Sequence, residues 1–306
     1  MKEVDCCRNG CVAFTAPRET LTECDLFQNP RYRADGRPTK KATYWPLLPW
    51  LRRMLADPDT GVGMVSAMNE ACQAAPVSPP KDLRYGFDGT TFRKLYAQGY
   101  FSTNTGIVLS ISTDGLQAWR LRGFEGWPII GTILNVDPSS RIQIDSQLIL
   151  GITPGPGQLA DLDFFLHPIA EEQNLLAAGE SGVAVEWFPP PQVAHTFVVQ
   201  FTTDIPGGDK LLSAIGCNGE CARRFRTFAG VKIKRRYCYT PYAPDDPPPS
   251  KRPRFDVQKD TTPHRTADST TSGAATVESA RAAGKSNAAV RSLAQKEGFK
   301  GYPRLF

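Results

Sequence analysis

Two carboxylates follow short apolar segments in the middle of the chain, in positions typical of metal ligands. Asp114 comes directly after the β-branched segment GIVLSIST (106–113), and Asp204 ends the segment VAHTFVVQFTTD (193–204). Mg²⁺ prefers hard oxygen ligands, and a pair of such ions can activate a water or a 3′-hydroxyl at a phosphodiester. Because Asp is also a common turn residue, the alternative is that both residues only terminate strands.

Cysteines are clustered in a way that favours metal binding over disulfides. Cys7 and Cys11 form a C-x3-C pair that Cys24 follows, and Cys217 and Cys221 form a second C-x3-C pair. The N-terminal segment MKEVDCCRNG lacks the apolar core of a secretory signal, so we expect an intracellular, non-secreted protein with reduced thiols. Clustered thiolates in that setting predict zinc sites. The alternative is that these thiols are free.

The segment RRFRTFAGVKIKRR (223–236) concentrates positive charge beside aromatic rings. The whole chain has a net charge of +5, whereas this segment contains seven cationic side chains and no acid. Because cations contact phosphates and aromatic rings stack on bases, the segment predicts DNA binding. The alternative is a solvated basic strand pair with its aromatic rings in the core. The cations are Arg223, Arg224, Arg226, Lys232, Lys234, Arg235 and Arg236.

The elements that position the two acids are predicted from apolar patterning. Segments 106–113, 126–136 and 141–153 have strand character, 159–179 has helical spacing, and 193–204 has strand character again. Turn residues such as Asp-Gly and Asp-Pro separate the strands. Three hairpin-connected strands and a helical crossover to a parallel fourth strand predict the front of an incomplete ribonuclease-H-like mixed α/β sheet.

This arrangement has a consequence for the acids, because the first and fourth strands of such a sheet end side by side. Asp114 and Asp204 would therefore lie next to each other and share Mg²⁺ ions. In the crossover helix, Gly179 is the expected C-cap, and Pro168 predicts a kink or a break into two helices.

Composition divides the chain into three regions. Residues 1–75 form a small helical region that contains cysteines, 76–240 the α/β domain, and 241–306 a Pro-rich disordered linker with a short C-terminal helix. In the first region, TYWPLLPWLRRMLAD predicts a helix after its prolines, and a second helix is expected after Asp57. No apolar run approaches the ~18–20 residues of a membrane helix, so we expect no membrane partner.

Several collinear segments are similar to those of one known family. CRNGCVAFT and ECDLFQNPRY, YWPLLPWLRRML, VLSISTDGLQAW, WPIIGTILNVDPSSR, LILGITPGPGQ, FLHPIAEEQNLLAAG, AHTFVVQFTTDIPGGDKL and QKEGFKGYPRLF occur in that order. Together they resemble the CACTA-type (En/Spm-like) family of cut-and-paste DNA transposases, especially its fungal form. The resemblance covers most of residues 5–240 and the end of the chain.

This resemblance implies a transposase in which Asp114 and Asp204 hold Mg²⁺ for phosphodiester cleavage and strand transfer. Asp209 is the alternative second acid. DNA and other transposase subunits are the implied partners. A nuclear location is implied as well, because a DNA transposase acts on chromosomal DNA. The exposed basic cluster at Lys251, Arg252 and Arg254 would then serve as a nuclear localisation signal.

The cysteine motifs depart from the family pattern. The family's N-terminal motif supplies four zinc ligands, but Cys7, Cys11 and Cys24 match only three positions, and Phe27 occupies the fourth. Cys6 could replace it only after a rearrangement. In the second cluster, arginines stand at two ligand positions, and Cys238 is nearby. We therefore expect either bound zinc at degenerate sites or unmetallated remnants.

A third catalytic acid is also missing from the pattern. The family places its remaining catalytic segments beyond the G-x-K-G stretch, where this chain ends, and Glu278 and Glu297 match no family motif. We therefore expect a truncated or decaying transposase-derived protein that binds DNA and has a partial metal site, inactive on its own. The alternatives are a non-catalytic DNA-binding or protein-interaction module and a non-functional remnant.

Overall fold

The structure is a computed structural model that divides into two compact units, Met1–Asp204 and Ile205–Phe306. The region boundary predicted from composition near residue 75 therefore lies within the first unit. The described residues are 1–77, 86–101, 105–117, 125–153, 162–179, 184–185, 192–204, 208–209, 231–233, 236–238 and 266–300.

A mixed sheet of seven strands forms the centre of the first unit. Six strands follow one another in the order β1-β2-β6-β5-β3-β9, and the short β4 pairs with β5. A separate two-stranded ladder, β7-β8, completes the described strands of this unit. The bounds are β1 Lys2–Asp5, β2 Lys41–Tyr44, β3 Gly106–Thr113, β4 Leu116–Gln117, β5 Glu125–Ile133, β6 Gln147–Thr153, β7 Ala184–Val185, β8 Gln192–Val193 and β9 His195–Thr202.

The strand order and directions predicted for the α/β region are confirmed. β3 pairs antiparallel with β5, β5 pairs antiparallel with β6, and β9 returns parallel to β3 on its other side. β3 has neighbours on both sides, and seven of its eight residues are buried. Burial on both faces explains why its sequence is a continuous β-branched run instead of an alternating one.

The third strand is shorter than the predicted segment 141–153, because β6 begins only at Gln147. The preceding residues form the short helix α4, Pro138–Arg141, and a 3-10 turn, Ile144–Ser146. The Asp137 side chain accepts a hydrogen bond from the Ser139 amide, and Pro138 occupies the first helical position. An N-cap residue followed by proline favours a helical turn, even where the next residues have an apolar pattern typical of a strand.

The two helices predicted before the α/β region are present, and both contact the sheet. Helix α1 runs from Leu47 to Ala56, and helix α2 runs from Pro58 to Ala74 after the N-cap Asp57. Helix α3, Thr90–Ala97, follows a 3-10 turn at Gly86–Asp88. Phe92 of α3 packs with Phe101 and with residues of α2 and β3 in a buried cluster.

Helix α5 spans Asp163–Ala178 as one element that contains Pro168, so of the two predicted alternatives, a kink or a break into two helices, the break is wrong. Proline lacks an amide hydrogen, which leaves the carbonyl of Phe164, four residues earlier, without its helical donor. The Thr15 hydroxyl donates to that carbonyl at 3.0 Å. A residue from the cysteine-containing region thus replaces the missing bond. Gly179 ends the helix in the left-handed conformation, which confirms the predicted C-cap.

Asn135 connects the sheet to α2 from a buried position, 3% exposed. Its side-chain oxygen accepts from the Val108 amide at 2.7 Å, and its amide donates to the carbonyls of Gly106 at 2.9 Å and Met64 at 3.2 Å. Three bonds to backbone groups satisfy polar atoms that burial would otherwise leave without partners.

In the second unit, β10 (Val231–Ile233) pairs antiparallel with β11 (Arg236–Cys238), and helices α6 (Ala267–Ala282) and α7 (Asn287–Glu297) pack together. The helical part of the tail starts earlier than the short C-terminal helix predicted. The reason is a reciprocal capping box between Thr266 and Ser269. Among the described residues, no helix has the length and apolar character needed to cross a membrane.

Candidate functional site

Cys7 and Cys11 lie in a tight loop that follows β1. The loop is closed by a bridge between Cys6 and Ala13, and the Cys7 amide donates to the Val12 carbonyl at 2.9 Å. At its tip, the Gly10 amide donates to the Cys7 carbonyl at 2.7 Å, and Gly10 has a φ of 67°. A left-handed residue just before Cys11 reverses the chain, so both thiols belong to one turn.

Cys24 lies in a second loop of similar construction. The Cys24 amide donates to the Asn29 carbonyl at 2.8 Å, and the Gln28 amide donates back to the Cys24 carbonyl at 2.6 Å. Gln28 has a φ of 54°, the one positive φ of a non-glycine residue in the described chain. Within this turn, the position that would complete a C-x2-C pair with Cys24 is residue 27, and it is a phenylalanine.

The two loops bring three thiols together in a group that can hold a metal ion. The sulfur atoms of Cys7, Cys11 and Cys24 all lie within 4.8 Å of one another, and the Cys11 and Cys24 sulfurs are 3.3 Å apart. A tetrahedral zinc site with Zn–S bonds of ~2.3 Å needs sulfur atoms ~3.8 Å apart. The three residues are buried, with 0, 2 and 0% exposure. Thiolates suit a soft ion such as zinc, and the observed sulfur–sulfur distances would have to change by only ~1 Å or less to reach the tetrahedral spacing.

Polar neighbours of the group stabilise a thiolate at Cys7. Burial opposes the charged form, but hydrogen bonds from the Cys11 thiol, the Asn9 backbone and the Asn29 side chain outweigh it and lower the pKa of Cys7. The Asn29 amide lies 3.6 Å from the Cys7 sulfur. Burial also lowers the pKa of Lys40, and the nearby cysteines, including Cys7 and Cys11, oppose this shift.

The thiols of Cys11 and Cys6 favour the protonated form, because burial raises the pKa of each. Burial, followed by hydrogen bonding to Cys7, raises the pKa of Cys11. Burial raises the pKa of Cys6 to about 12. Ion binding must therefore displace protons, as it does in other thiolate sites.

The fourth ligand position is the weakness of this site. Phe27 is 60% exposed and offers no donor atom. Cys6 is buried next to Cys7, but it is not part of the group whose ligand atoms converge. Three protein ligands and one open position therefore describe the site. Sequence reasoning found the three cysteines and missed Asn29 and Lys40, because neither stands at a recognisable ligand spacing.

Asp114 and Asp204 come to the same edge of the sheet. β3 and β9 are parallel, and Ser112 pairs with Thr202. Each acid lies two residues beyond that pair. Asp114 and Asp204 therefore occupy equivalent positions after the ends of two neighbouring strands. Both acids are exposed. The Asp114 carboxylate accepts a hydrogen bond from the Gly115 amide at 2.7 Å. Their role as Mg²⁺ ligands stays a prediction.

In the part of the chain that the structure describes, Cys7, Cys11 and Cys24 form the only group of three or more His, Cys, Asp or Glu residues whose ligand atoms converge. Among those residues, no third His, Cys, Asp or Glu therefore forms a close ligand group with Asp114 and Asp204. Asp209, the alternative second acid, is buried and belongs to the second unit.

Most of the other predicted site residues lie outside the described residues. Lys232 and Arg236 belong to β10 and β11, whose backbones pair antiparallel. The residues outside the description are Cys217, Cys221, Arg223, Arg224, Arg226, Lys234, Arg235, Lys251, Arg252 and Arg254.

Two histidines of the α/β region lie close to polar atoms of helix α5. His195 Nδ1 lies 3.0 Å from the Ala177 carbonyl, and His167 Nε2 lies 3.1 Å from the Glu171 carboxylate.

Comparison with protein-family models gave no match, and comparison with curated proteins gave no significant match.

Proposed function

We propose that this chain is a transposase-derived, DNA-binding protein of the CACTA type, built on the front part of a ribonuclease-H-like sheet. The second part of the proposal is a structural zinc ion at Cys7, Cys11 and Cys24. In this proposal Asp114 and Asp204 form a partial Mg²⁺ site for phosphodiester chemistry. DNA and further transposase subunits are its partners, and the nucleus is its location.

One observation carries the proposal, namely the parallel register between β3 and β9. Three antiparallel strands followed by a helical crossover to a parallel neighbour is the order that a ribonuclease-H-like sheet begins with. The register Ser112–Thr202 supports adjacent positions for the two acids. Adjacent carboxylates at a solvent-accessible edge suit Mg²⁺, which keeps several waters and binds through few protein oxygens.

The zinc part of the proposal rests on the convergence of the cysteines and on their place in the fold. The cysteine loops are inserted between β1 and β2, and these two strands extend the sheet beyond β6. Zinc there would hold the two loops that carry Thr15 and Asn29 in place. Its contribution is to stability, because a buried thiolate site at this position offers no path for substrate.

A second candidate function is a non-catalytic DNA-binding module from the same source. The absence of a third ligand beside Asp114 and Asp204, within the described residues, favours it. Two-metal chemistry depends on accurate placement of both ions, and two carboxylates alone hold them weakly.

One experiment separates the two functions. The full chain is incubated with supercoiled plasmid and Mg²⁺ or Mn²⁺, and nicking is compared between wild type, Asp114→Asn and Asp204→Asn. Asp137→Asn is the matched control: Asp137 is exposed and also follows a strand, but at the opposite edge of the sheet, and Asn keeps its N-cap role. Nicking lost only in the two edge variants supports catalysis. Equal nicking in all variants contradicts it.

DNA binding is tested separately by fluorescence anisotropy with labelled duplex over a range of salt concentrations. If the basic segment neutralises ~5 phosphates, the log–log slope is about −4.5. Tight, salt-dependent binding without nicking selects the non-catalytic module. Absence of binding at low salt contradicts both functions.

A further inference from the structure

A wide groove lies between α2 and the connection from β5 to β6, and neither cysteines nor the edge acids line it. Its volume is about 1600 Å³. Pockets for small ligands have volumes of roughly 300–1000 Å³, so this groove is larger than a small molecule needs. Its apolar lining includes the rings of Trp45, Trp50 and Phe87 and the side chains of Ile144 and Ile149. Ile144 is 90% exposed, and Ile149 is 47% exposed.

Negative charge surrounds this apolar lining. Five carboxylates line the groove, against two guanidinium groups. One guanidinium, that of Arg141, donates to the carbonyls of Leu134 at 2.5 Å and Val136 at 2.9 Å, so it forms part of the wall. The carboxylates belong to Asp57, Asp59, Glu70, Asp88 and Asp137. An acidic rim repels nucleic acid and attracts a cationic partner.

The shape of the groove fits a helix. Gly63, Ala67 and Ala74 occur at helical spacing on the side of α2 that lines it, and a Cβ atom added at Gly63 meets nothing within 4 Å. Small side chains let a second helix approach closely. Helix α2 has 17 residues, which corresponds to about 25 Å of length. A bound helix of similar length would lie along it.

We propose that this groove binds an amphipathic, basic helix of a partner protein. The apolar face of that helix packs on the half-buried tryptophans and the exposed isoleucines, and its Lys or Arg side chains face the carboxylates of the rim. This is the helix-in-groove mode of recognition, with charge selecting the partner. The proposal is independent of the DNA and zinc proposals, since none of their residues line the groove.

The test uses the full chain and a fluorescein-labelled 14-residue peptide of Leu and Lys with Leu at helical spacing. Anisotropy measures Kd, and we expect saturable binding that weakens as salt rises. Two rim reversals together, Asp59→Lys and Glu70→Lys, should weaken binding roughly tenfold or more. Glu171→Lys together with Glu19→Lys is the charge-matched control, because both side chains are exposed and lie outside the groove.

A steric variant tests the shape independently of charge. Gly63→Trp fills the groove and should abolish binding, whereas Gly63→Ala should leave it open. Neither change should unfold α2, because both residues favour a helix over glycine. Equal affinity for a scrambled peptide of the same composition would reduce the interaction to non-specific charge attraction and overturn the proposal. Self-association of the chain that Gly63→Trp abolishes, without peptide binding, would overturn it as well.

Discussion

Replacing Phe27 by cysteine should convert a three-ligand site into a complete one. Phe27 already has the C-x2-C spacing from Cys24, and the loop that carries it is closed by the hydrogen bond between Gln28 and the Cys24 carbonyl. The ring is 60% exposed, so its removal leaves no cavity in the core. The new thiol therefore enters a preformed turn, and its coordination energy is not consumed by loop ordering.

The magnitude follows from the energetics of complete sites. Zinc-finger sites bind Zn²⁺ with roughly 10–16 kcal/mol, so one of four ligands accounts for roughly 2.5–4 kcal/mol. That range corresponds to a decrease in Kd on the order of 100-fold or more. The measurement is competition with a chromophoric zinc chelator. Cobalt substitution then reports the number of thiolates through the intensity of the sulfur-to-cobalt charge-transfer band.

Leu26→Cys is the matched control, because Leu26 is adjacent and 50% exposed but has the wrong spacing. An unchanged affinity in Phe27→Cys, with absorption typical of three thiolates, would refute the assignment of residue 27 as the fourth position. An equal gain in Leu26→Cys would show that any nearby thiol suffices.

Three further predictions concern the fold around the site. Thr15→Val removes the hydroxyl that donates to the Phe164 carbonyl and should lower the free energy of unfolding by ~1–3 kcal/mol in urea titrations, with the exposed Thr20→Val nearly neutral. Asn135→Leu removes three buried hydrogen bonds and should cost ~3 kcal/mol or more, whereas Asn174→Leu on the exposed side of α5 should cost little; equal losses would contradict the structural role. Burial, followed by the hydrogen bond to Glu172, raises the pKa of Tyr44. The neutral Tyr44 phenol therefore contributes to the stability of the folded state. That contribution is complete below the pKa of the unfolded chain, near 10, and is lost as the pH rises toward the higher pKa of the folded state. Denaturation above pH 10 should therefore show a loss of up to ~1.4 kcal/mol per pH unit in wild type that Tyr44→Phe lacks.

Much of the fold could be predicted because its signals are local. The continuous β-branched run of β3 reflects burial on both faces, and Asp57 and Gly179 mark helix ends through caps that involve only neighbouring residues. The order of the elements (three strands, a helix and a fourth strand) then limits the possible topologies. Consecutive elements usually lie next to each other, and a crossover between parallel strands is right-handed. The position of Asp114 and Asp204 at one edge followed from this order.

The remaining features depend on contacts between distant segments, and only the tertiary structure decided them. Pro168 does not divide α5, and the hydroxyl of Thr15, 149 residues away from Phe164 in sequence, donates to the Phe164 carbonyl that proline cannot serve. The three cysteines converge through backbone bonds within two separate loops, and spacing alone does not specify those bonds. The sequence determined which residues can act as ligands and the order of the strands and helices in the α/β region. Tertiary structure decided which of them meet, because burial and hydrogen bonding between segments are properties of the folded chain as a whole.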